Sequence, residues 1–142
     1  MQLEQLKFPI GVYQTPQNIT PEILRSAIHS IEYFPSRLKE VTEGFTEEQY
    51  LTPYRPGGWT VKQLINHCAD SHMNSLIRFK WCLTEETPKI KTYDQDSWAN
   101  LPDSESIPVD FAFQMLAGIH GRLCYLLKTL DKTALNLSLI HI

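Results

Sequence analysis

Thr60-Val61-Lys62-Gln63 constrains the fold of this chain more than any other stretch. A Thr followed three residues later by Gln is a capping box. The hydroxyl accepts from the third backbone N–H of a helix, and the amide reaches back to the N–H of the cap itself. Directly before it stands Pro56-Gly57-Gly58, a turn cluster that separates it from what precedes. The start of a helix is thereby fixed at Val61, and no Gly or Pro follows until Pro88. At about 100° per residue, Val61, Leu64, Ile65, Cys68, His72, Leu76, Phe79 and Leu83 form one apolar face. His67, Ser71, Asn74 and Arg78 fall along one flank of it. The spacing predicts a helix over 61–84 whose polar flank lines a cleft, as in bundle proteins that build sites from side chains on facing helices.

Two further long helices follow from the same reasoning. Thr20 reads as an N-cap with Pro21 at the first helical position, where a missing N–H costs nothing. Ile23, Ala27, Ile31, Phe34, Leu38 and Val41 then recur at intervals of three and four, and Gly44 closes the run. Pro35 lies inside it, lacks the N–H that would bond to Ile31, and predicts a kink. Val109 to Leu130 reads as the third long helix, with Leu116, Ile119, Leu123, Leu126, Leu127 and Leu130 as its stripe. Between these, Thr46-x-x-Gln49 marks a short helix over 46–51. Asp94 to Pro108 reads as a polar connector able to cross from one end of a bundle to the other. The first twenty residues, broken by Pro9, Gly11 and Pro16, read as irregular and extended. No strand pattern competes, so the expected fold class is all-α.

Length bounds the answer to one domain, since 142 residues bury a single core. The net charge of -3 offers no general attraction to nucleic acid or to an anionic membrane. No apolar run approaches the roughly 18 residues of a membrane span, and MQLEQLKFPIG lacks the pattern of a secretory signal. Cys68, Cys82 and Cys124 are odd in number and show no Cys-x-x-Cys spacing, which predicts reduced core thiols in a cytoplasmic protein.

Periodicity alone points His72, rather than His67, at the core, where it is expected to bond a neighbouring helix. Asp70 could orient an imidazole as an outer acceptor, but its helical angle points it toward solvent. Arg78 is open to an anionic ligand or to a salt bridge with another helix. Gly57-Gly58 lacks the wider Gly-x-x-x-x-Gly-Lys pattern of a phosphate cradle and reads as turn chemistry, with Trp59 over the end of the core. His120 is isolated on the third helix and reads as structural. No nucleophile elbow appears, so any catalysis would come from a metal.

Phe8-Pro9-Ile10-Gly11, Thr52-Pro53-Tyr54-Arg55, Gly57-Gly58-Trp59-Thr60-Val61, His67, Asp70-Ser71-His72-Met73-Asn74-Ser75, Ile77-Arg78-Phe79-Lys80 and Leu83-Thr84-Glu85 together resemble the YfiT-type branch of the DinB-like superfamily. The resemblance implies an up-and-down four-helix bundle holding a divalent metal, zinc or nickel, through three histidines. One stands at the position of His67. The other two belong to a His-x-x-x-His pair on the fourth helix, and this sequence contains no such pair. The implied activity is that of a metal-dependent hydrolase or a thiol S-transferase acting on a small molecule, such as the low-molecular-weight thiol bacillithiol. A homodimer is implied, without nucleic acid or membrane as partner. The alternative expectation is a non-catalytic helical-bundle binding or scaffold protein.

Residues 1–136 are accordingly expected to form a bundle domain lacking its fourth helix. Leu137-Ser138-Leu139-Ile140-His141-Ile142 reads as the translation of a sequencing-library adapter, which would leave His141 without a role. A fourth helix with four or five large apolar side chains contributes on the order of 6–15 kcal/mol. That is comparable to a domain's whole net stability of about 5–15 kcal/mol. The chain by itself is therefore expected to be inactive, poorly soluble and a weak binder of zinc.

Overall fold

The computed structural model describes residues 3–131 and 133–135. Residues 137–142, read above as an adapter, and His141 with them, lie outside this range. The described residues include α1 (Leu3–Lys7), α2 (Pro21–Val41), α3 (Glu47–Tyr50), α4 (Val61–Thr84), α5 (Gln95–Ala99), α6 (Pro102–Glu105) and α7 (Asp110–Thr129), and residues 133–135 are also helical. The three long ones match the expected ranges within a few residues. The only β pairing among the described residues is an isolated bridge between Pro53 and Thr60 at the turn before α4.

α7 lies between α2 and α4 and packs along both. Near its start, Ala112 and Leu116 meet Ile65 and Ala69 of α4, flanked by Phe34 and Leu38 of α2. Leu116 is wholly buried. Further along, Ile119, Leu123, Cys124 and Leu127 close on Ile28 of α2 and Leu76 of α4. Met115 packs against both clusters. Ile65, Leu76, Leu116, Ile119, Leu123 and Leu127 come from the expected stripes, whereas Ile28, Ala69, Ala112 and Cys124 lie outside them and Val41 of the α2 stripe is exposed.

The capping chemistry is as the sequence predicts. Thr20 Oγ1 accepts from the N–H of Ile23 at 3.3 Å, with Pro21 opening α2. The box at α4 closes in both directions: Gln63 N–H donates to Thr60 Oγ1 at 3.1 Å, and Thr60 N–H to Gln63 Oε1 at 3.0 Å. Gly57 holds φ at +66°, and the N–H of Tyr54 bonds to the carbonyl of Trp59 at 3.1 Å. A turn of this hand favours glycine because a Cβ would crowd the following carbonyl.

Pro35 lies inside α2, which runs on as one element to Val41. The carbonyl that Pro35 frees, that of Ile31, is supplied with a donor from outside the helix by His120 Nδ1 of α7. The first twenty residues are not wholly extended, since Leu3–Lys7 is a short helix. The polar connector is not a plain crossing either: it contains α5 and α6, and both pack on α4. They cover Gln63 and Asn66, which are buried despite their polarity. Gln63 Nε2 donates to the carbonyl of Ala99 at 2.9 Å, and Asn66 Nδ2 to that of Ser104 at 3.3 Å. Lys62, buried to 3 % exposure, reaches out to Glu47 Oε1 at 2.8 Å. Buried polar groups persist only when bonded, and each of these three has its partner.

Candidate functional site

α4 carries the candidate side chains, because it is the helix covered on the most sides: α7 on one face, α5 and α6 on another, α3 near its start. From Val61 to Phe79 it has no fully exposed residue. Its polar flank therefore stands half-buried rather than in open water.

His67 lies on that flank, half-buried, against the indole of Trp59, with ring centroids 4.7 Å apart and planes at 53°. Trp59 is held in turn by α5, its Nε1 donating to Asp96 Oδ1 at 3.1 Å. Burial pulls the His67 pKa below its ordinary value, and the negative charge of Asp96 opposes this in part. The neutral imidazole is thus favoured, and that is the form with a lone pair to offer a metal.

His72 turns inward from α4 to α7. Its Nδ1 is 2.7 Å from Nε2 of His120, and the Nδ1 of His120 bonds to the Ile31 carbonyl of α2. Phe34 packs edge-on to His72 and stacks on His120. His72 is therefore bonded to a neighbouring helix, as its apolar position predicts. His120 is not isolated but joins all three long helices. Its burial, at 3 % exposure, follows from α7 packing on both neighbours. The pKa of His72 is pulled down to about 4, chiefly by burial and then by the proximity of His120 and His67.

Asp70 is half-buried, and burial and the nearby Asp103 raise its pKa. Among the described residues its carboxylate bonds to no imidazole. Arg78 forms no salt bridge there either: Nη2 donates to the Lys91 carbonyl at 3.3 Å, tying down the segment after α4, and Nε is buried without a partner. Gly57 and Gly58 act as turn residues; a Cβ on Gly58 would meet Arg55 Cγ at 2.7 Å. Asn74 and Ser75 donate back to the Asp70 and Ser71 carbonyls of their own helix.

Residues 30–142 match the family described as the DinB superfamily. The chain belongs to the DinB superfamily. It is 43 % identical over 136 residues to "Putative metal-dependent hydrolase YfiT" of Bacillus subtilis (strain 168), covering 96 % of this chain and 76 % of that protein. A relative of the same description from Bacillus cereus (strain AH820) is 42 % identical over 139 residues, covering 98 % of this chain and 80 % of its own length. The solved structure of Bacillus subtilis YfiT superposes with a TM-score of 0.88 at 45 % identity, over 92 % of this chain and 74 % of that one. It is described as a four-helix bundle of unusual topology. The fold class read from the sequence is therefore that of this DinB-superfamily chain, and metal dependence is a description its relatives carry.

The residues present fit such a metal only in part. His67 offers a neutral nitrogen donor in a half-buried setting. Among the described residues no three His, Cys, Asp or Glu side chains converge as a ligand set. Two of the three cysteines, Cys82 and Cys124, are buried; all three are unpaired, and burial raises the thiols of Cys68 and Cys124, the opposite of what a thiolate ligand needs. No helix among the described residues is long and apolar enough to cross a membrane.

Sequence reasoning missed Asp96 as the anchor of Trp59, because the two lie 37 positions apart. It missed the His72–His120 pair for the same reason. One signal was available: Pro35 advertises a carbonyl at Ile31 in need of a donor.

Proposed function

We propose that this chain supplies one imidazole, that of His67, to the metal centre of a hydrolase or thiol S-transferase acting on a small molecule. The observation that carries the proposal is the setting of His67: neutral by burial, braced by Trp59, on the flank of the best-covered helix of a DinB-superfamily bundle. Zinc or nickel suits an imidazole donor. When bound with an open coordination position, such an ion lowers the pKa of water toward about 7 or holds a thiol as its thiolate. The chain's own part is to present the His67 lone pair, to keep it unprotonated, and to limit water on the α5 side through Trp59.

A low-molecular-weight thiol substrate and a homodimer are further parts of the proposal and rest on the family resemblance. A cytoplasmic location is supported by three unpaired cysteines, which suit a reducing compartment. The two other histidines that the resemblance calls for have no counterpart in a His-x-x-x-His pair of these 142 residues. Residues 1–136 are proposed as the domain that contributes His67.

The test joins residues 1–136 to the C-terminal part of Bacillus subtilis YfiT that lies beyond the matched region. Calorimetric titration with zinc and with nickel is expected to show stoichiometric binding that His67→Ala abolishes. Binding that survives His67→Ala refutes the assignment. Absence of stoichiometric binding in the parent fusion favours the scaffold reading.

A further inference from the structure

The hydrogen-bond chain from His72 to Ile31 admits one arrangement of protons when both rings are neutral. A carbonyl only accepts, so His120 Nδ1 must carry the proton in its bond to Ile31. The other nitrogen of a neutral imidazole is then a bare acceptor, so His120 Nε2 receives and His72 Nδ1–H donates across the 2.7 Å contact. His72 Nε2 is left with a lone pair. Among the described residues neither ring is bonded to a carboxylate: the rings lie against Phe34, and the third neighbour is a backbone carbonyl.

Pro35 leaves the accepting carbonyl free for this bond. An ordinary residue there would bond its own N–H to the Ile31 carbonyl. Proline cannot, and the carbonyl stays open for His120. On the His72 ring, Nε2 lies across from Nδ1. With Nδ1 turned to α7, Nε2 is directed away from α7, and it has no protein partner among the described residues. His72 is half-buried rather than sealed. It stands five positions from His67 on the same helix.

We propose that His120 is a positioning residue, holding His72 in the tautomer whose Nε2 accepts a hydrogen bond from a small protic ligand, water or thiol, on the helix that carries His67. The role of the ligand rests on the reading of His67 as a metal-site residue; the tautomer does not. A neutral acceptor here can orient the O–H or S–H of a group without drawing a second charge into the site. The same arrangement, an imidazole whose far nitrogen is fixed by a second acceptor, is what sets ring orientation in many working sites.

Long-range proton–nitrogen spectra of the 15N-labelled chain read the tautomers directly. Near neutral pH, His72 and His120 are both expected to carry their proton on Nδ1. His120→Gln should preserve the His72 tautomer, since its amide can both accept from His72 and donate to Ile31. His120→Leu should release it, and if that variant does not fold, the glutamine variant and the parent still decide. A protonated His72 Nε2 in the parent overturns the proposal.

Diethyl pyrocarbonate, which acylates unprotonated imidazole nitrogen within its reach, is expected to label His72 and spare His120. Sparing of His72 would show an unreachable lone pair and also overturn it. Titration with 2-mercaptoethanol, without metal, separates the two ligands: saturable movement of the His72 Nε2 resonance identifies the thiol, and a resonance that stays in place identifies water. None of the tautomer readouts requires metal, so a failure of zinc binding at His67 leaves the relay to be judged separately.

Discussion

Gln63→Ala tests how α4 is held in place against α5 and α6. The Gln63 side chain closes the capping box on the Thr60 N–H at 3.0 Å and donates to the Ala99 carbonyl at 2.9 Å. It also lies 3.3 Å from both Asn100 Oδ1 and Glu105 Oε1. Removing its half of the cap costs about 1 kcal/mol. Leaving the carbonyl of Ala99, itself 2 % exposed, without a donor costs about 1–3 kcal/mol more. The expected loss is therefore about 2–4 kcal/mol, large against a net stability of about 5–15 kcal/mol. With a urea m-value of about 2 kcal/mol/M, the midpoint should fall by about 1–2 M. Urea unfolding followed by circular dichroism measures it, and tryptophan fluorescence reports Trp59 and Trp98 at the loosened end. Gln63→Glu separates the two contributions: it keeps the acceptor for Thr60 but sets a carboxylate against the Ala99 carbonyl and Glu105. It should be worse than Gln63→Ala at neutral pH and recover as the pH falls and the new carboxyl is protonated. A loss under about 0.5 kcal/mol for Gln63→Ala, the range of ordinary surface substitutions, would refute the account of α5 and α6 as bonded cover.

Three further outcomes are expected. The His72 pKa of about 4 lies below its ordinary 6.5, so the unfolded chain binds a proton between those values that the folded one refuses. Its contribution is full above pH 6.5 and is lost as pH falls toward 4; after allowance for its partial exposure this is about 1–2 kcal/mol. Urea titrations across that window should flatten in His72→Gln. Asp70 has the opposite sign: its raised pKa means that folding costs stability at neutral pH and not in strong acid. Asp70→Asn should gain about 0.5 kcal/mol at neutral pH, with the gain vanishing on acidification; a loss at neutral pH would show that the carboxylate has a stabilising partner. Gly57→Ala should cost about 1–2 kcal/mol from its φ of +66° alone, because a Cβ there meets no atom within 4 Å; thermal unfolding of the variant checks it.

What the sequence made legible was local chemistry, and what it withheld was pairing at a distance. Caps, turns and apolar periodicity depend on residues within a few positions of one another, so Thr20, Thr60, Gly57 and the stripes of α2, α4 and α7 lead directly to elements. The burial of Lys62, Gln63 and Asn66 contradicts a one-faced reading of α4 because their partners, from Glu47 to Ser104, lie 15 to 38 positions away. The second cover on α4 was visible only as a polar connector, although Asp94 carries a capping signal for α5, its Oδ1 accepting from Ser97 at 3.0 Å.

Pro35 joins the two kinds of information. Its local consequence, a missing donor to Ile31, can be read from the chain, and by itself suggests a defect in α2. The structure turns that defect into a tertiary connection, because His120 is where α7 brings a donor to the part-buried carbonyl. With that bond in place and both rings neutral, His120 accepts from His72, and His72 keeps a lone pair at Nε2. A carbonyl on α2, left without its helical donor by Pro35, thus orients the His120 ring that meets His72 of α4. Physical consequences of this kind run from sequence to site without passing through conserved spacing, and they are read only by asking where each backbone group finds its partner.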